Sequence, residues 1–327
     1  VSPTPTTPTS EADRPAPTDP GELLLQVAQR YWEQDRTQED IGRELHLTRW
    51  KVGRLLEQAR AEGIVQITVV HPTTRRRELE ATLTERYGLA DCIVVPTQDR
   101  EQDTVTHVVR AAAGYLRARG PRLRTLGVSW GNTLQEIAAM LPSGWAHGLE
   151  IIQVNGGISR SVRPTTAADV AMSIARSGHG RASLLPVPAI VEHASTREAL
   201  YTEHFVQETL TKARAADALL FSLGALSPSS VLVRSGAVTP DELERLRAAG
   251  ACGDVLGHYL SPDGTIADPD LESRTIGLSL DDLRAATQAI AVASGPAKAP
   301  VIRAALTSRL CSVLVTDEAA ARSALEP

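Results

Sequence analysis

Cysteine is scarce: Cys92, Cys252 and Cys311 are the only three in 327 residues. They form no C-x-x-C pair and no zinc-ligand spacing, and three cannot all pair within one chain, so a disulfide framework and a metal knuckle are excluded. They are expected to be small buried hydrophobes in a reducing cytoplasm. Aromatic residues make up only 3%. No stretch approaches the ~18 consecutive apolar residues of a membrane span. No Lys/Arg-led apolar segment opens the sequence, so no secretory signal is read there. Neither G-x-G-x-x-G nor G-x-x-x-x-G-K-[ST] occurs, which removes the usual nucleotide fingerprints. Basic residues are not in excess: 34 Lys+Arg face 39 Asp+Glu, for a net charge of -5. Any nucleic-acid binding must therefore come from a local cluster. What is present, 42% hydrophobic and 22% charged residues, is ordinary for a folded chain. At ~150 residues per domain the length holds about two domains.

Residues 1–20 are dominated by Pro, Thr and Ser with no hydrophobic period, and are expected to be a disordered tail. From Gly21 the pattern changes. Leu23, Leu24, Val27, Ala28 and Tyr31 recur as one buried helix face. Thr37 before Gln38, Glu39 and Asp40 reads as an N-cap with acids at the positive helix end, and Ile41 and Leu45 supply that helix's apolar side. His46 and Leu47 make a tight turn. Thr48 caps a third helix with Val52, Leu55, Leu56 and Ala59 inward, stopped by Gly63. A β-branched stretch, 64–70 (IVQITVV), predicts a strand or wing. Helix, short turn, capped helix and strand spell a winged helix-turn-helix over 21–71.

The third helix has Arg49, Trp50, Lys51 and Arg54 on its outer side. Residues 21–62 carry seven basic and eight acidic side chains, but 48–62 carry four against two, with both acids in the second half. Positive charge is thus concentrated where a recognition helix enters a major groove. Thr48, Arg49, Trp50, Lys51 and Arg54 are the candidate DNA contacts, Trp50 equally a packing residue. Thr37 and Gln38 are placed to hold phosphate through backbone N–H groups. Residues 72–90 predict a polar linker helix with Leu79, Leu83 and Tyr87 on one stripe. Its Arg75, Arg76 and Arg77 are expected to form a solvated connector face.

From Asp91 onward, short apolar runs alternate with amphipathic segments: 92–95, 126–129, 151–154, 218–223, 289–294 and 312–317 as strands, and 104–117, 133–140, 167–175, 196–214, 240–249 and 299–306 as helices. This predicts an α/β domain over 91–327 with a parallel sheet covered on both faces. Ligands of such sheets bind outside the carboxyl ends of the strands. Three of those ends are marked by glycine: 127–133 (GVSWGNT), 155–159 (NGGIS) and 222–227 (SLGALS). Glycines let a ligand approach the backbone, whose N–H groups can hold an anion. GVSWG also fits the G-x-S-x-G nucleophile elbow, but no oxyanion loop precedes it, and Asp254 and His258 stand too close together for the usual separate loops. Ser129 and Thr133 serve better as hydroxyl or phosphate ligands. Asp254, in the glycine-flanked GDVLGHY, is a candidate acceptor from sugar hydroxyls. Lys298, after the run AIAVAS, is a candidate partner for an anion.

The series LTRWKVGRLLEQARAEGIV, GVSWGNTL, VNGG, GDVLGHY, IGLSLDDLR, KAPVIRAAL and VLVTDE resembles the SorC family of bacterial transcriptional regulators. The resemblance covers nearly the whole chain from about Gly21. It implies a winged helix-turn-helix and a Rossmann-like α/β effector domain similar to sugar-phosphate isomerases and deaminases. It implies operator DNA of near-palindromic sequence, a sugar, polyol or sugar-phosphate effector, and a homo-oligomer that is a tetramer built as a dimer of dimers. The protein would be cytoplasmic and no enzyme, and no cofactor or metal is expected; an isomerase- or deaminase-like enzyme is the alternative. Carried onto this chain, Ser129, Gly131, Asn132 and Thr133 would hold the effector's phosphate or terminal hydroxyls. Asn155, Gly156 and Gly157 would line a second loop, with Asp254 on the hydroxyl side and Lys298 on the anion side. Trp130 and Asn132 depart from the Gly/Thr-rich first loop of phosphate-sensing members. That argues against a large bisphosphate and leaves room for an unphosphorylated sugar or polyol, with Trp130 stacking on a sugar face or narrowing the pocket. Gly53 stands where a small polar residue is expected.

Overall fold

A computed structural model of the chain describes residues 20–32, 34, 36–65, 75–157 and 167–326. It divides into two compact units at Pro72/Thr73.

The smaller unit holds three helices, α1 (Pro20–Trp32), α2 (Gln38–Glu44) and α3 (Arg49–Ala61). Leu24, Val27 and Ala28 of α1, Ile41 of α2, and Val52, Leu55, Leu56 and Ala59 of α3 form one buried cluster, which is the periodic set read from the sequence. Thr37 and Thr48 cap α2 and α3, each accepting from the backbone N–H three residues on, at 3.2 Å. Between them His46 takes the left-handed conformation (φ 56°). Gly42 fits where the turn folds back: the Leu47 N–H donates to its carbonyl at 2.8 Å, and a Cβ at Gly42 would stand 2.7 Å from the Leu47 carbonyl oxygen. Ile64 and Val65 form a bend rather than the start of a strand, and the remainder of the expected wing lies outside the described residues.

The larger unit opens with α4 (Arg77–Tyr87) and continues β1 (Asp91–Val95), α5 (Glu101–Arg119), β2 (Thr125–Val128), α6 (Asn132–Met140), β3 (Glu150–Gln153), α7 (Ala167–Ser177), β4 (Arg181–Ser183), α8 (Ala194–Thr202), α9 (His204–Arg214) and β5 (Ala218–Ala225). Then come α10 (Val231–Arg234), α11 (Pro240–Ala248), β6 (Gly253–Val255), β7 (His258–Leu260), α12 (Pro269–Arg274), α13 (Leu280–Ala285), β8 (Ala289–Val292), α14 (Ala299–Thr307), β9 (Val313–Asp317) and α15 (Glu318–Leu325). The strand order is β1-β9-β8-β5-β2-β3-β4, all parallel, with the β6–β7 hairpin antiparallel to the end of β5. Alternate residues feed opposite cores. Cys92, Val94, Leu219, Phe221, Ala291 and Leu314 point to one, and Ile93, Val95, Leu220, Ile290, Val313 and Val315 to the other. This is the two-sided burial that a parallel sheet requires. Cys92 and Cys311 are buried and Cys252 half-buried. Burial pushes the Cys92 and Cys311 thiols up to about 12, which makes them poor nucleophiles.

Several elements differ from the sequence reading. The expected helix over 196–214 is two, α8 and α9, broken where Glu203 is extended (ψ 130°). The run 222–227 is a strand as far as Ala225, because Leu223, Gly224 and Ala225 pair with β6. Of the three arginines expected on a solvated face, Arg77 is exposed, whereas Arg75 and Arg76 are tied into the larger unit. Arg75 donates to Glu80 at 2.6 Å and to the Cys92 carbonyl at 2.7 Å, and Arg76 donates to Glu318 at 2.5 Å. Leu83 is buried, with Leu79 and Tyr87 packed on the same core, so α4 is an integral layer of the larger unit and not a free connector.

Gly42→Ala forces a methyl group against backbone. It should destabilise the three-helix unit by about 1–3 kcal/mol. Hydrogen exchange should show faster opening of α2 and α3 with the larger unit unchanged; unaltered protection in α2 would show that the turn relaxes around the methyl.

Candidate functional site

In the larger unit the chain moves from β2 outward to β3 and β4, and later resumes on the other side of β2 with β5, β8 and β9. The winding therefore reverses between β2 and β5, the point at the carboxyl ends of the strands where sheets of this class take their ligands. Gly131, with φ 129°, precedes α6, whose start has no side-chain cap. Gly131 faces β5: a Cβ there would lie 3.8 Å from Ser222 Oγ. Ser129 is buried, Thr133 half-buried and Asn132 exposed.

Opposite stands Asp254. In the β5–β6 register it faces Gly224, and a Cβ at Gly224 would come within 1.9 Å of its Oδ1. The glycine is thus the seat of the carboxylate. The β6–β7 hairpin turns through Leu256 (φ 57°) and Gly257 (φ 95°), and the Gly257 N–H donates back to Asp254 at 3.1 Å. Two central residues with positive φ match the twist of a tight hairpin. Burial pushes the Asp254 carboxyl up to about 6, against the opposing pull of that N–H, Lys298 and His258. Burial likewise pushes the Lys298 ammonium down, opposed by Asp254 and Asp317. Asp317 is fully buried at the end of β9. It accepts from the Gly295 N–H at 2.6 Å, from Thr97 at 3.0 Å, and from the first N–H groups of α15. The charges of Asp254 and Asp317 are thus the ones that favour the Lys298 ammonium.

The second glycine loop is placed differently from expectation. The Gly156 and Gly157 N–H groups donate to the Ile276 and Val187 carbonyls, both at 2.9 Å. A Cβ on either would strike Pro188 or Ala167, so these glycines serve close packing. Trp130 is buried, and its indole N–H donates to the Gly156 carbonyl at 2.8 Å, tying the first loop to the second. Asn155 is buried; its Nδ2 donates to the Leu256 carbonyl at 3.4 Å while Oδ1 has no partner among the described residues. Ser294 Oγ and Thr316 Oγ1 are likewise unpartnered there. Three of the four such buried atoms thus lie at or next to strand carboxyl ends, where an added polar ligand would satisfy them.

Nothing completes the nucleophile elbow. His258 is committed at both nitrogens, Nδ1 with Glu272 at 2.7 Å and Nε2 with the Leu278 carbonyl at 2.9 Å, and among the described residues no histidine hydrogen-bonds Ser129. Sequence reasoning missed Ser294 and Asp317, and read Gly224 only as part of a ligand-facing glycine loop. Asp317 was findable as the cap before EAAAR; Gly224 needed the hairpin register.

In the smaller unit the cations separate into two sets. Arg30 and Arg36 pair with Glu44, and Arg43 pairs with Glu39 and Asp40. Arg49, Lys51 and Arg54, all exposed on α3, make no ion pair among the described residues. Trp50 is 70% exposed, so it does not pack within the unit. Gln38, Arg49, Trp50, Gly53, Arg54 and Glu57 line an open groove of about 450 Å³. The Thr37 hydroxyl is spent on Asp40, donating at 2.6 Å, which holds that carboxyl below its usual range.

A helical head with unpaired cations on one helix, joined to a parallel α/β unit with unpartnered polar groups at its strand ends, defines a DNA-binding transcriptional regulator controlled by a small sugar or polyol effector. The family model for a sugar-binding domain, Sugar-bind, matches residues 71–326. The chain belongs to the SorC/DeoR-like family of sugar-binding bacterial transcriptional regulators. It is 30% identical over 303 residues to the deoxyribonucleoside regulator of Bacillus subtilis, covering 92% of this chain and 96% of that protein. It is 28% identical to the erythritol catabolism regulatory protein of Brucella abortus, covering 92% and 95%. The full-length sorbitol operon regulator SorC of Klebsiella pneumoniae superposes with a TM-score of 0.75 over 95% of this chain and all of that one; at 24% identity this speaks for the fold. These relatives are regulators rather than isomerases or deaminases. No helix among the described residues is long and apolar enough to cross a membrane.

Because folding raises the Asp254 pKa from 3.8 to about 6, the native state holds this proton more tightly than the unfolded chain. Its contribution is complete below pH 3.8 and is lost as pH rises through 6, a change on the order of 3 kcal/mol. Asp254→Asn should remove this loss. Urea midpoints of the larger unit at pH 4.5 and 7 should differ less in the variant than in the parent; identical pH profiles would show that the carboxyl titrates normally.

Proposed function

We propose that this regulator binds a near-palindromic operator through α3, with Thr48, Arg49, Trp50, Lys51 and Arg54 at the DNA and Thr37 and Gln38 at the flanking phosphate. Residues 21–71 form the DNA-binding domain, and the unit beyond it binds the effector. The observation that carries the DNA reading is the division of the cations: those of α1, α2 and the loop between them are neutralised by carboxylates, while those of α3 are left for an outside anion. Two-fold symmetry of the protein matches two half-sites, so a homo-oligomer, a tetramer as a dimer of dimers, is the assembly we propose, acting in the cytoplasm.

The effector is an unphosphorylated sugar or polyol. It lies against Ser129, Gly131, Asn132, Thr133 and Asn155, with Asp254 and Lys298 at its hydroxyls and Gly156 and Gly157 as the supporting wall. Two carboxylates whose charges act on Lys298 favour hydroxyl groups, which both donate and accept, over a dianion. The names of the erythritol and sorbitol regulators agree with that class. Binding shifts the population of states that differ in how the DNA-reading heads are spaced.

Arg49→Ala or Lys51→Ala should weaken operator binding in a gel-shift titration without lowering the melting temperature; unchanged affinity in both would remove α3 from the interface. In a thermal-shift screen, a sugar or polyol at a hundred times its Kd should stabilise the native state by about 2.7 kcal/mol. Stabilisation by phosphorylated sugars alone would overturn the unphosphorylated assignment.

A further inference from the structure

Four arginines lie over aromatic rings: Arg54 on Trp50 at 5.0 Å, Arg86 on Tyr87 at 5.4 Å, Arg119 on Tyr115 at 3.7 Å and Arg197 on Tyr201 at 4.6 Å. Three of these guanidinium groups also spend donors inside the protein. Arg86 donates to the Leu325 carbonyl, Arg119 to Asp91 and Arg197 to the Thr275 carbonyl. Arg54 alone donates no hydrogen bond and makes no ion pair among the described residues, although Glu57 follows one turn later on the same helix.

A guanidinium held by its face against a ring keeps all its in-plane N–H groups free. A guanidinium held by a carboxylate does not. The contact also restrains a long side chain that would otherwise lose considerable rotamer freedom on binding. On a helix Trp50 and Arg54 are neighbours at i,i+4, so the ring aligns the arginine along the outer surface of α3. Val52, Leu55 and Leu56 face the core, so neither Trp50 nor Arg54 is needed to hold the helix. The ring is 70% exposed, an unusual surface for so large an apolar group unless it works there.

We propose that Arg54 reads a guanine in each operator half-site, donating two hydrogen bonds to O6 and N7 in the major groove, and that Trp50 is the positioning residue that presents it. This rests on the DNA-binding reading above and adds the base that is read and the residue that sets the reading.

The test is selection of bound duplexes from a random-sequence DNA pool by the full-length protein and its variants, with affinities then measured on the selected site and its single-base changes. The wild type should enrich a motif containing an invariant guanine. Arg54→Lys and Trp50→Ala should both lose preference at that same position, by roughly tenfold or more, while the rest of the motif persists. Trp50→Phe, which keeps an aromatic face, should restore it. The salt dependence of binding should be unchanged in Trp50→Ala, whereas Lys51→Ala should lower the slope by about one. Full guanine preference in Trp50→Ala, or loss at a different position from Arg54→Lys, would overturn the positioning role. A selected motif with no guanine dependent on Arg54 would overturn the reading of the base. No enrichment of any sequence by the wild type would instead remove the DNA-binding reading itself, and this proposal with it.

Discussion

A parallel sheet buried on both faces leaves its strand ends as the place for polar chemistry, and the larger unit is organised by that constraint. Alternate side chains of β1, β5, β8 and β9 are spent on two separate apolar cores. Backbone donors and acceptors in the middle of the sheet are spent on neighbouring strands. What remains is the row of loops at the carboxyl ends, and the reversal of winding between β2 and β5 spreads two of them apart. Asp254, Lys298 and Asp317, which act on one another's charge, lie along this row, as do the unpartnered atoms of Asn155, Ser294 and Thr316. Polar groups are costly to bury and costly to leave unsatisfied, and their concentration here is what supports the proposed ligand site.

The two units use charge in opposite ways. At the strand ends of the larger unit, desolvation moves both Asp254 and Lys298 toward their neutral forms. Such a site distinguishes ligands by hydrogen-bond pattern more than by net charge. On α3 the charges are exposed and unpaired, and their full Coulombic reach is available to a polyanion. A net charge of -5 is compatible with both, because Glu39, Asp40 and Glu44 are paired with Arg30, Arg36 and Arg43 and leave the α3 cations free.

The chain entering the larger unit is fastened close to the polar row. Arg76 pairs with Glu318, the residue after Asp317, and its N–H donates to the Val94 carbonyl at 2.8 Å. Arg75 and Glu80 grip β1 from the other side, with Glu80 accepting the Val94 N–H at 3.0 Å. Asp317's neighbour Glu318 and the residues at the entry to the larger unit thus share one small network of short polar contacts.

Much of this was legible in the residues. Periodic apolar positions, Thr37 and Thr48 at cap positions, and the short turn between helices are local properties, fixed by interactions within a few residues, so α1 to α3 and their inward faces follow from the sequence directly. The apolar runs that became β1, β2, β3, β5, β8 and β9 were readable for the same reason. Tertiary structure decided the rest, since it depends on groups far apart in the chain. Arg75 and Arg76 look like solvated charges until Glu80, Cys92 and Glu318 are brought beside them. Gly156 and Gly157 look like an anion cradle until Ile276 and Val187 take their N–H groups. Gly224 looks like a loop glycine until the pairing of β5 with β6 seats Asp254 in the space it leaves. Sequence alone settled which segments fold and which way they face; only the closing of long loops settled which polar groups are spent and which are left for a partner.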